Sequence, residues 1–174
     1  MASTNLSRTP SSAGSARKGT WSWWIKKSPT TNAPVYSILN STSHFELWFS
    51  SSSTIEFRHY NGSSYNMRLI SNRVFRDTAW YHFVVELDTT QATAADRVKI
   101  YVNGTQETSF STETYPAQNA DLVFAKDSAT KIGSRYNDSN YLDGLLAHFH
   151  FIDGTAYDAD TFGEIDSTTG IWKP

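Results

Sequence analysis

The strongest constraint in this sequence is a series of short segments in which apolar and polar side chains alternate. In residues 80–88 every second side chain from Tyr81 to Leu87 is apolar, and residues 97–103 alternate in the same way. A period of two residues is typical of a β-strand with one buried face. Turn signals such as Asn103-Gly104 separate the segments, so we expect consecutive strands to pair as antiparallel hairpins.

The alternation continues along the chain and predicts an all-β fold. No long segment has the period of an α-helix, and no internal repeat of fixed length is visible. Many short strands divided by turns are typical of antiparallel sandwiches and jelly rolls. In the last strand we expect Leu146, His148, His150 and Ile152 to share one face. The predicted strands are residues 20–26, 35–39, 44–50, 54–59, 67–70, 80–88, 97–103, 105–110, 131–134 and 142–153.

The length and composition exclude several classes of protein. The 174 residues suit one domain, and we expect a polar N-terminal arm or edge segment (residues 1–18) before a single domain (residues 19–174). The absence of cysteine excludes disulfide scaffolds, thiolate zinc sites and cysteine nucleophiles. A net charge of −2 argues against a nucleic-acid partner, and no apolar run is long enough for membrane insertion. The polar N-terminus predicts that there is no secretion signal.

Charge is distributed unevenly along the chain. Residues 1–30 contain five basic residues and no acid, whereas residues 138–174 contain seven acids and a single basic residue, Lys173. Opposite charges at the two ends favour a fold in which the terminal segments lie side by side in one sheet. The alternative is a head-to-tail contact between subunits.

Two acidic residues near the C-terminus begin a glycosidase pattern but do not complete it. Glu164 and Asp166 have the spacing of carboxylates on one face of a strand, as a retaining glycosidase requires. The next position on that face, Thr168, has no carboxylate, and Gly163 and Gly170 indicate turns. The sequence therefore predicts a protein that is not an enzyme.

Two groups of side chains are candidate metal ligands. His148 and His150, together with His82, could bind zinc, and ordinary hydrogen-bonded histidines are the alternative. The segment that contains Asp138 and Asp143 is rich in oxygen ligands, which makes calcium a candidate cofactor. This segment lacks the spacing of an EF-hand loop, and Asn and Asp also suit ordinary turns.

Several aromatic residues fall on polar faces or in loops. Sugar rings and protein partners both pack against exposed aromatic rings, so we expect a ligand-binding surface. Burial under a loop or between subunits is the alternative for each ring. The candidate ligand-binding residues are Trp48, Tyr60, Tyr65, Tyr136 and Tyr141.

Four short motifs resemble those of concanavalin A-like (laminin-G-like) jelly rolls. In that family a W-x-H strand is followed by a hairpin in which a tyrosine between apolar residues leads to Asn-Gly. Residues 80–85 and 98–104 have these features, and residues 132–133 and 141–144 are similar to later strands of the family. The resemblance implies an antiparallel jelly-roll β-sandwich of the concanavalin A-like lectin/glucanase type.

A narrower resemblance connects this chain with virion structural proteins of tailed bacteriophages. It depends on residues 6–14, 72–77, 151–156, 162–164 and 170–174. It implies a non-enzymatic capsid or tail decoration or adhesion subunit, made in the host cytoplasm and displayed on the virion surface. Such a subunit is expected to form a homo-oligomer, to contact other capsid or tail proteins and to bind a host-surface polysaccharide through a lectin-like face.

Two alternatives to this adhesion subunit stay open. A purely architectural protein would cement capsid subunits and bind no ligand. A soluble carbohydrate-binding module of a bacterial enzyme system would bind sugars without a virion. The sequence contains no ligand motif that defines a sugar site residue by residue.

Overall fold

The alternating segments form two antiparallel sheets that pack face to face, followed by a short C-terminal hairpin. The computed structural model describes residues 4–174, so the first three residues of the predicted arm lie outside the described residues. The strands are β1 (Leu6–Arg8), β2 (Lys18–Lys27), β3 (Ala33–Asn40), β4 (Ser43–Phe49), β5 (Thr54–Tyr60), β6 (Tyr65–Val74), β7 (Tyr81–Asp88), β8 (Val98–Val102), β9 (Thr105–Glu107), β10 (Phe110–Thr114), β11 (Thr130–Ile132), β12 (Gly144–Asp153), β13 (Glu164–Ile165) and β14 (Trp172–Lys173). No helix in this part of the chain is long and apolar enough to cross a membrane.

The strand order is that of a jelly-roll sandwich. One sheet has seven strands in the order β1-β11-β3-β4-β5-β6-β10, and the other has five in the order β12-β2-β7-β8-β9. Each predicted strand overlaps an observed one, which confirms the all-β prediction. The alternation did not predict β1, which pairs with β11 at a sheet edge, nor the short strands β10, β13 and β14.

Aromatic rings fill the core between the two sheets. Trp21 on β2 is fully buried, and its ring stacks on Phe45 of the opposite sheet and on Phe151 of β12, with both centroid distances 5.1 Å. Trp23 stacks on Phe83 of the neighbouring strand at 5.3 Å. Inward side chains of the two sheets interdigitate in this way, while alternate side chains of the same strands face outward. The outward positions are therefore available for a functional surface.

The last long strand, β12, differs from the prediction. Its register against β2 shifts between Ala147 and His150, and His148 has a left-handed φ of 49°. A β-bulge adds a residue to one strand, so the faces of the following side chains are reversed. Leu146 and Phe149 therefore both pack against the core, and the prediction of one uninterrupted alternation is wrong.

The oppositely charged ends of the chain are neighbours in the five-stranded sheet. β2 pairs with β12, which confirms the predicted adjacency. Arg17 and Lys18, however, form their described ion pairs with Asp121 at 2.7 Å and Asp88 at 3.1 Å, which lie outside the acidic C-terminal segment. The adjacency therefore depends on the backbone ladder more than on ion pairs between the two ends.

The segment after β12 packs on the outer face of the five-stranded sheet and is held there by Trp172. The indole Nε1–H donates a 2.9 Å hydrogen bond to Nδ1 of His82, and the two rings stack at 5.9 Å. A Cβ at Gly104 would lie 2.3 Å from the Trp172 ring, and Gly104 has a φ of 77°. Glycine is thus required there by close approach and by backbone conformation.

Lowering the pH from 7 to 4 should destabilise the fold through His82. Because Nδ1 accepts a bond from Trp172, the ring proton lies on Nε2, which is 2.9 Å from the Ser22 hydroxyl. Burial, together with the nearby His150 and His148, lowers the pKa of His82 to about 4. A histidine in the unfolded chain has a pKa near 6.5, so the unfolded state binds more protons and stability is lost as the pH falls from about 6.5 to 4.

The test is urea unfolding of the wild type and of His82→Gln at pH 7 and pH 4. The glutamine does not titrate, so we expect the variant to lose up to roughly 3 kcal/mol less over this range than the wild type. The buried His44 and His59 are present in both proteins, and their contributions cancel. The same pH dependence in both proteins would contradict the role of His82.

Candidate functional site

The outer face of the seven-stranded sheet carries a buried carboxylate that arginines neutralise. Cross-strand register places Glu46 of β4 opposite Arg58 of β5, and Arg58 opposite Arg68 of β6. Glu46 is fully buried; its Oε2 accepts a 2.7 Å bond from Nε of Arg58, and its Oε1 accepts a 3.0 Å bond from Nε of Arg135. A buried carboxylate stays charged only when it is paired and hydrogen-bonded in this way.

A second carboxylate, Glu56, extends these ion pairs across the sheet. Its Oε1 accepts a 2.7 Å bond from Nε of Arg68, and its Oε2 lies 3.3 Å from Nη1 of Arg58. Burial alone would lower the pKa of Arg58, but Glu46 and Glu56 outweigh this effect and raise it. We call the five residues the arginine network: Glu46, Glu56, Arg58, Arg68 and Arg135.

Beside the arginine network, three tyrosines surround one buried histidine. The ring of His44 stacks on Tyr60 at 5.1 Å and contacts Tyr136 at 5.6 Å and Tyr65 at 6.2 Å. Burial lowers the pKa of His44 despite the opposing field of Glu46, so the imidazole is neutral at pH 7. Its Nε2 has no hydrogen-bond partner among residues 4–174, since Glu46 is 3.8 Å away. We call the three tyrosines and His44 the tyrosine cluster.

Three of the predicted ligand-binding residues therefore meet at one place. Tyr60 ends β5 and Tyr65 begins β6, and the turn at Asn61-Gly62 brings their rings within 5.3 Å of each other. Tyr136 arrives from the loop of residues 133–143, which connects β11 to β12. Tyr65 is 37% exposed, so the cluster is open to solvent.

The other two predicted residues do not join the tyrosine cluster. Trp48 on β4 is only 7% exposed, because the guanidinium groups of Arg58 and Arg135 lie over its ring at 4.6 and 5.8 Å. Its indole Nε1–H donates to Asn32 at 2.9 Å, so Trp48 supports the arginine network and does not offer a free ring face. Tyr141 is half-buried in the loop of residues 133–143, and no ring contact in the described chain joins it to the cluster.

The arginine network was not predicted from the sequence. The alternation did place Glu46, Glu56 and Arg58 at outward positions. Their pairing, however, depends on strand register and on a loop that returns Arg135 to a glutamate 89 positions earlier in the chain. Neither feature has a local sequence signal.

One of the two candidate calcium ligands, Asp138, has its carboxylate engaged by other groups. Asp138 forms an ion pair with Lys131 and accepts a 2.9 Å bond from the amide of Asn5. The backbone oxygen of Asp143 accepts a 2.8 Å bond from the hydroxyl of Thr31. A calcium ion at Asp138 would have to displace the lysine ammonium, and calcium binding stays a prediction.

The candidate zinc ligands do not form a metal site as they stand. Among residues 4–174, no group of three or more His, Asp or Glu side chains is placed to hold a metal ion. His148 and His150 line a cavity of about 510 Å³ that also contacts Trp24 and His82. The hydrogen bonds of His82 to Trp172 and Ser22 agree with the alternative of ordinary structural histidines.

The acidic pair near the C-terminus forms ion pairs within the hairpin of β13 and β14. Glu164 and Asp166 lie 3.2 and 3.3 Å from Nζ of Lys173. Backbone N–H groups of Thr169 and Thr168 lower the pKa of Asp166. A general acid needs a raised pKa, so Asp166 is poorly suited to that role.

The sandwich fold agrees with a comparison with known families. A sequence model described as the concanavalin A-like lectin/glucanases superfamily, of laminin G type, matches residues 2–160. The chain belongs to the concanavalin A-like lectin/glucanase superfamily. The hairpin of β13 and β14 lies beyond the part that matches the superfamily. No curated protein sequence matches the chain significantly.

Solved structures of this superfamily's sandwich type resemble the chain at low identity. Domains LG4-5 of the mouse laminin α1 chain have a TM-score of 0.62 at 12% identity, over 90% of this chain and 41% of that one. The CBM40 of the Ruminococcus gnavus IT-sialidase has a TM-score of 0.59 at 13% identity, over 92% and 96%. Domain 4 of an extracellular arabinanase from Geobacillus stearothermophilus has a TM-score of 0.52 at 15% identity, over 82% and 64%. The chain thus spans less than two thirds of the laminin and arabinanase structures, and the likeness shows the fold.

Replacing Glu46 by Gln should destabilise the protein far more than the same change at Glu164. Glu46→Gln leaves Arg58 and Arg135 without their shared countercharge, and breaking a buried ion pair costs about 3–5 kcal/mol. Glu164 pairs with Lys173 on the surface, where water screens the interaction. The measurement is the free energy of unfolding in urea at pH 7, and equal losses in the two variants would contradict the structural role of Glu46.

Proposed function

We propose that this protein is a non-catalytic carbohydrate-binding protein whose glycan site is the tyrosine cluster. The observation that carries the proposal is the meeting of three tyrosine rings with a buried polar atom, Nε2 of His44, that has no described partner. Sugar rings have apolar C–H faces that pack on aromatic rings, and their hydroxyl groups need hydrogen-bond partners. A neutral imidazole nitrogen can donate or accept one such bond.

Two of the similar structures support a carbohydrate ligand. The Ruminococcus gnavus CBM40 has been solved bound to α2,3-sialyllactose, and the arabinanase domain in complex with arabinotriose. Their sandwiches resemble this one, but these two ligands are known only for those proteins. In this chain, the tyrosine cluster supplies the aromatic and polar groups that a sugar requires.

We further propose that this binding serves adhesion at the surface of a bacteriophage virion, on the capsid or the tail. This part of the proposal is supported by the resemblance of residues 151–156 and 170–174 to virion proteins. Many weak sites on one particle gain strength through avidity, so a homo-oligomer or a symmetric array of subunits suits adhesion. The ligand would be a host-surface polysaccharide, and the partners would be other virion proteins.

A purely architectural role is the second candidate, and exposed apolar residues of the C-terminal hairpin and of β12 favour it. Ile165 and Ile171, on and beside the hairpin of β13 and β14, are each 65% exposed, and Leu145 of β12 is 61% exposed. A backbone hydrogen bond from Asp166 to Ile171 keeps Ile165 and Ile171 on one short hairpin, and exposed apolar groups that lie together are typical of protein contacts. In this role the subunit would cement neighbouring virion proteins and bind no glycan.

Glycan binding should be lost when the tyrosine cluster is truncated. We expect Tyr65→Ala and Tyr136→Ala each to weaken binding roughly tenfold, which corresponds to about 1.4 kcal/mol of lost stacking. Tyr157→Ala is the matched control, because Tyr157 is similarly exposed at 40% but follows β12 in the other sheet. The measurement is binding to a broad bacterial glycan array, followed by calorimetry on the strongest ligand.

Two results would count against the proposed site. Equal weakening by Tyr157→Ala would place the glycan elsewhere on the surface. A blank array, combined with loss of heat resistance from virions that lack the subunit, would favour the architectural role.

A further inference from the structure

We infer that the proposed glycan site selects acidic sugars, which carry a carboxylate or sulfate group, and this inference rests on the proposed function. Two arginines of the arginine network, Arg68 and Arg135, border the tyrosine cluster. The guanidinium of Arg68 lies over the ring of Tyr65, and that of Arg135 over the ring of Tyr136, each at 4.9 Å. Each of the two tyrosines thus has a guanidinium over one face of its ring.

Both arginines are held in place by a carboxylate below them. Nε of Arg68 bonds to Glu56 at 2.7 Å, and Nε of Arg135 bonds to Glu46 at 3.0 Å. Ion pairing at Nε and stacking on a tyrosine fix the plane of each guanidinium before any ligand arrives. Such preorganisation reduces the entropy that binding would otherwise cost.

Each of these guanidinium groups retains donors for a ligand. A guanidinium has five N–H donors, and one carboxylate engages at most two of them in a bidentate pair. In the described chain, the guanidinium of Arg68 donates only to Glu56, and that of Arg135 only to Glu46. Their side chains are 36% and 28% exposed, so the remaining donors have access to solvent.

Arg58 shows the contrasting arrangement within the same network. It lies between Glu46 and Glu56 and approaches both, and its side chain is only 11% exposed. All three of its guanidinium nitrogens are therefore engaged in structural ion pairs. The comparison assigns the structural role to Arg58 and the ligand-facing role to Arg68 and Arg135.

The layering of charge also favours an anion. The carboxylates of Glu46 and Glu56 are 0% and 6% exposed and lie beneath the guanidinium groups. Three arginines face these two glutamates, and the neighbouring His44 is neutral, so the surface that a ligand meets is cationic. A planar guanidinium edge matches the geometry of a carboxylate or sulfate group.

The test is a glycan array of matched pairs on several sugar backbones. Each acidic oligosaccharide is printed beside a neutral counterpart with the same backbone, made by carboxyl reduction or by desulfation. We expect the acidic member of a bound pair to bind at least tenfold more tightly than the neutral member. We also expect this difference to shrink as NaCl is raised from 50 to 500 mM, because salt screens an exposed ion pair.

Variants locate the selectivity within the site. Arg68→Gln should reduce the acidic-to-neutral ratio at least fivefold, and Arg135→Gln should act in the same direction. Arg73→Gln is the matched control, because Arg73 is also exposed on β6 and lies over an aromatic ring, that of Phe75, at 5.2 Å. The control should leave the ratio unchanged.

The array separates failure of this inference from failure of the proposed function. Equal binding of the acidic and neutral members, lost in Tyr65→Ala, would overturn the selectivity and keep the glycan site. No binding to any pair would overturn both. Because the paired comparison uses the wild type, the result does not depend on whether the arginine variants fold.

Discussion

Glu46 is the residue on which the outer face of the seven-stranded sheet depends. Its carboxylate is fully buried and must be neutralised, and the guanidinium groups that do so come from the adjacent strand and from a distant loop. The bond to Arg135 fixes the loop of residues 133–143, and with it Tyr136, over His44. The buried charge of Glu46 thereby holds the arginine network together, and through Arg135 it also positions Tyr136 in the tyrosine cluster.

Alternation predicted most of this fold because burial of one sheet face imposes a period of two residues. It was sufficient for strands such as β4 and β5, where Phe45 and Phe57 face the core at regular intervals. It failed where the backbone leaves that period, as at the bulge of His148, which reverses the faces of β12. It also failed for some of the shortest strands, such as β1 and β13, because these are too short to show a period and form only against a partner strand.

The site was predicted in part, and the missing part has a common physical cause. Tyr60, Tyr65 and Tyr136, which the structure brings together, were chosen from the sequence because they fall on polar faces or in loops. The burial of Trp48 could not be predicted, since the two guanidinium groups that lie over its ring come from another strand and from a loop. His44 was not predicted either, because the sequence does not show whether the ring nitrogens of a buried histidine have hydrogen-bond partners.

Each outward face of the sandwich contains a buried histidine, and the two histidines differ in whether their ring nitrogens have hydrogen-bond partners. On the five-stranded sheet, His82 uses both ring nitrogens, one with Ser22 and one with Trp172 of the tail. On the seven-stranded sheet, His44 is buried and neutral but has an Nε2 without a described partner. An unsatisfied buried polar atom is costly unless a ligand or water completes it, and this cost supports the proposed glycan site on the seven-stranded face. On the opposite face, Trp172 of the tail satisfies His82, and the tail presents Ile165 and Ile171 to solvent. These exposed side chains are the surface for protein contact in the proposed architectural role. In the proposed adhesion role, the subunit would contact other virion proteins through one face and bind glycan through the other.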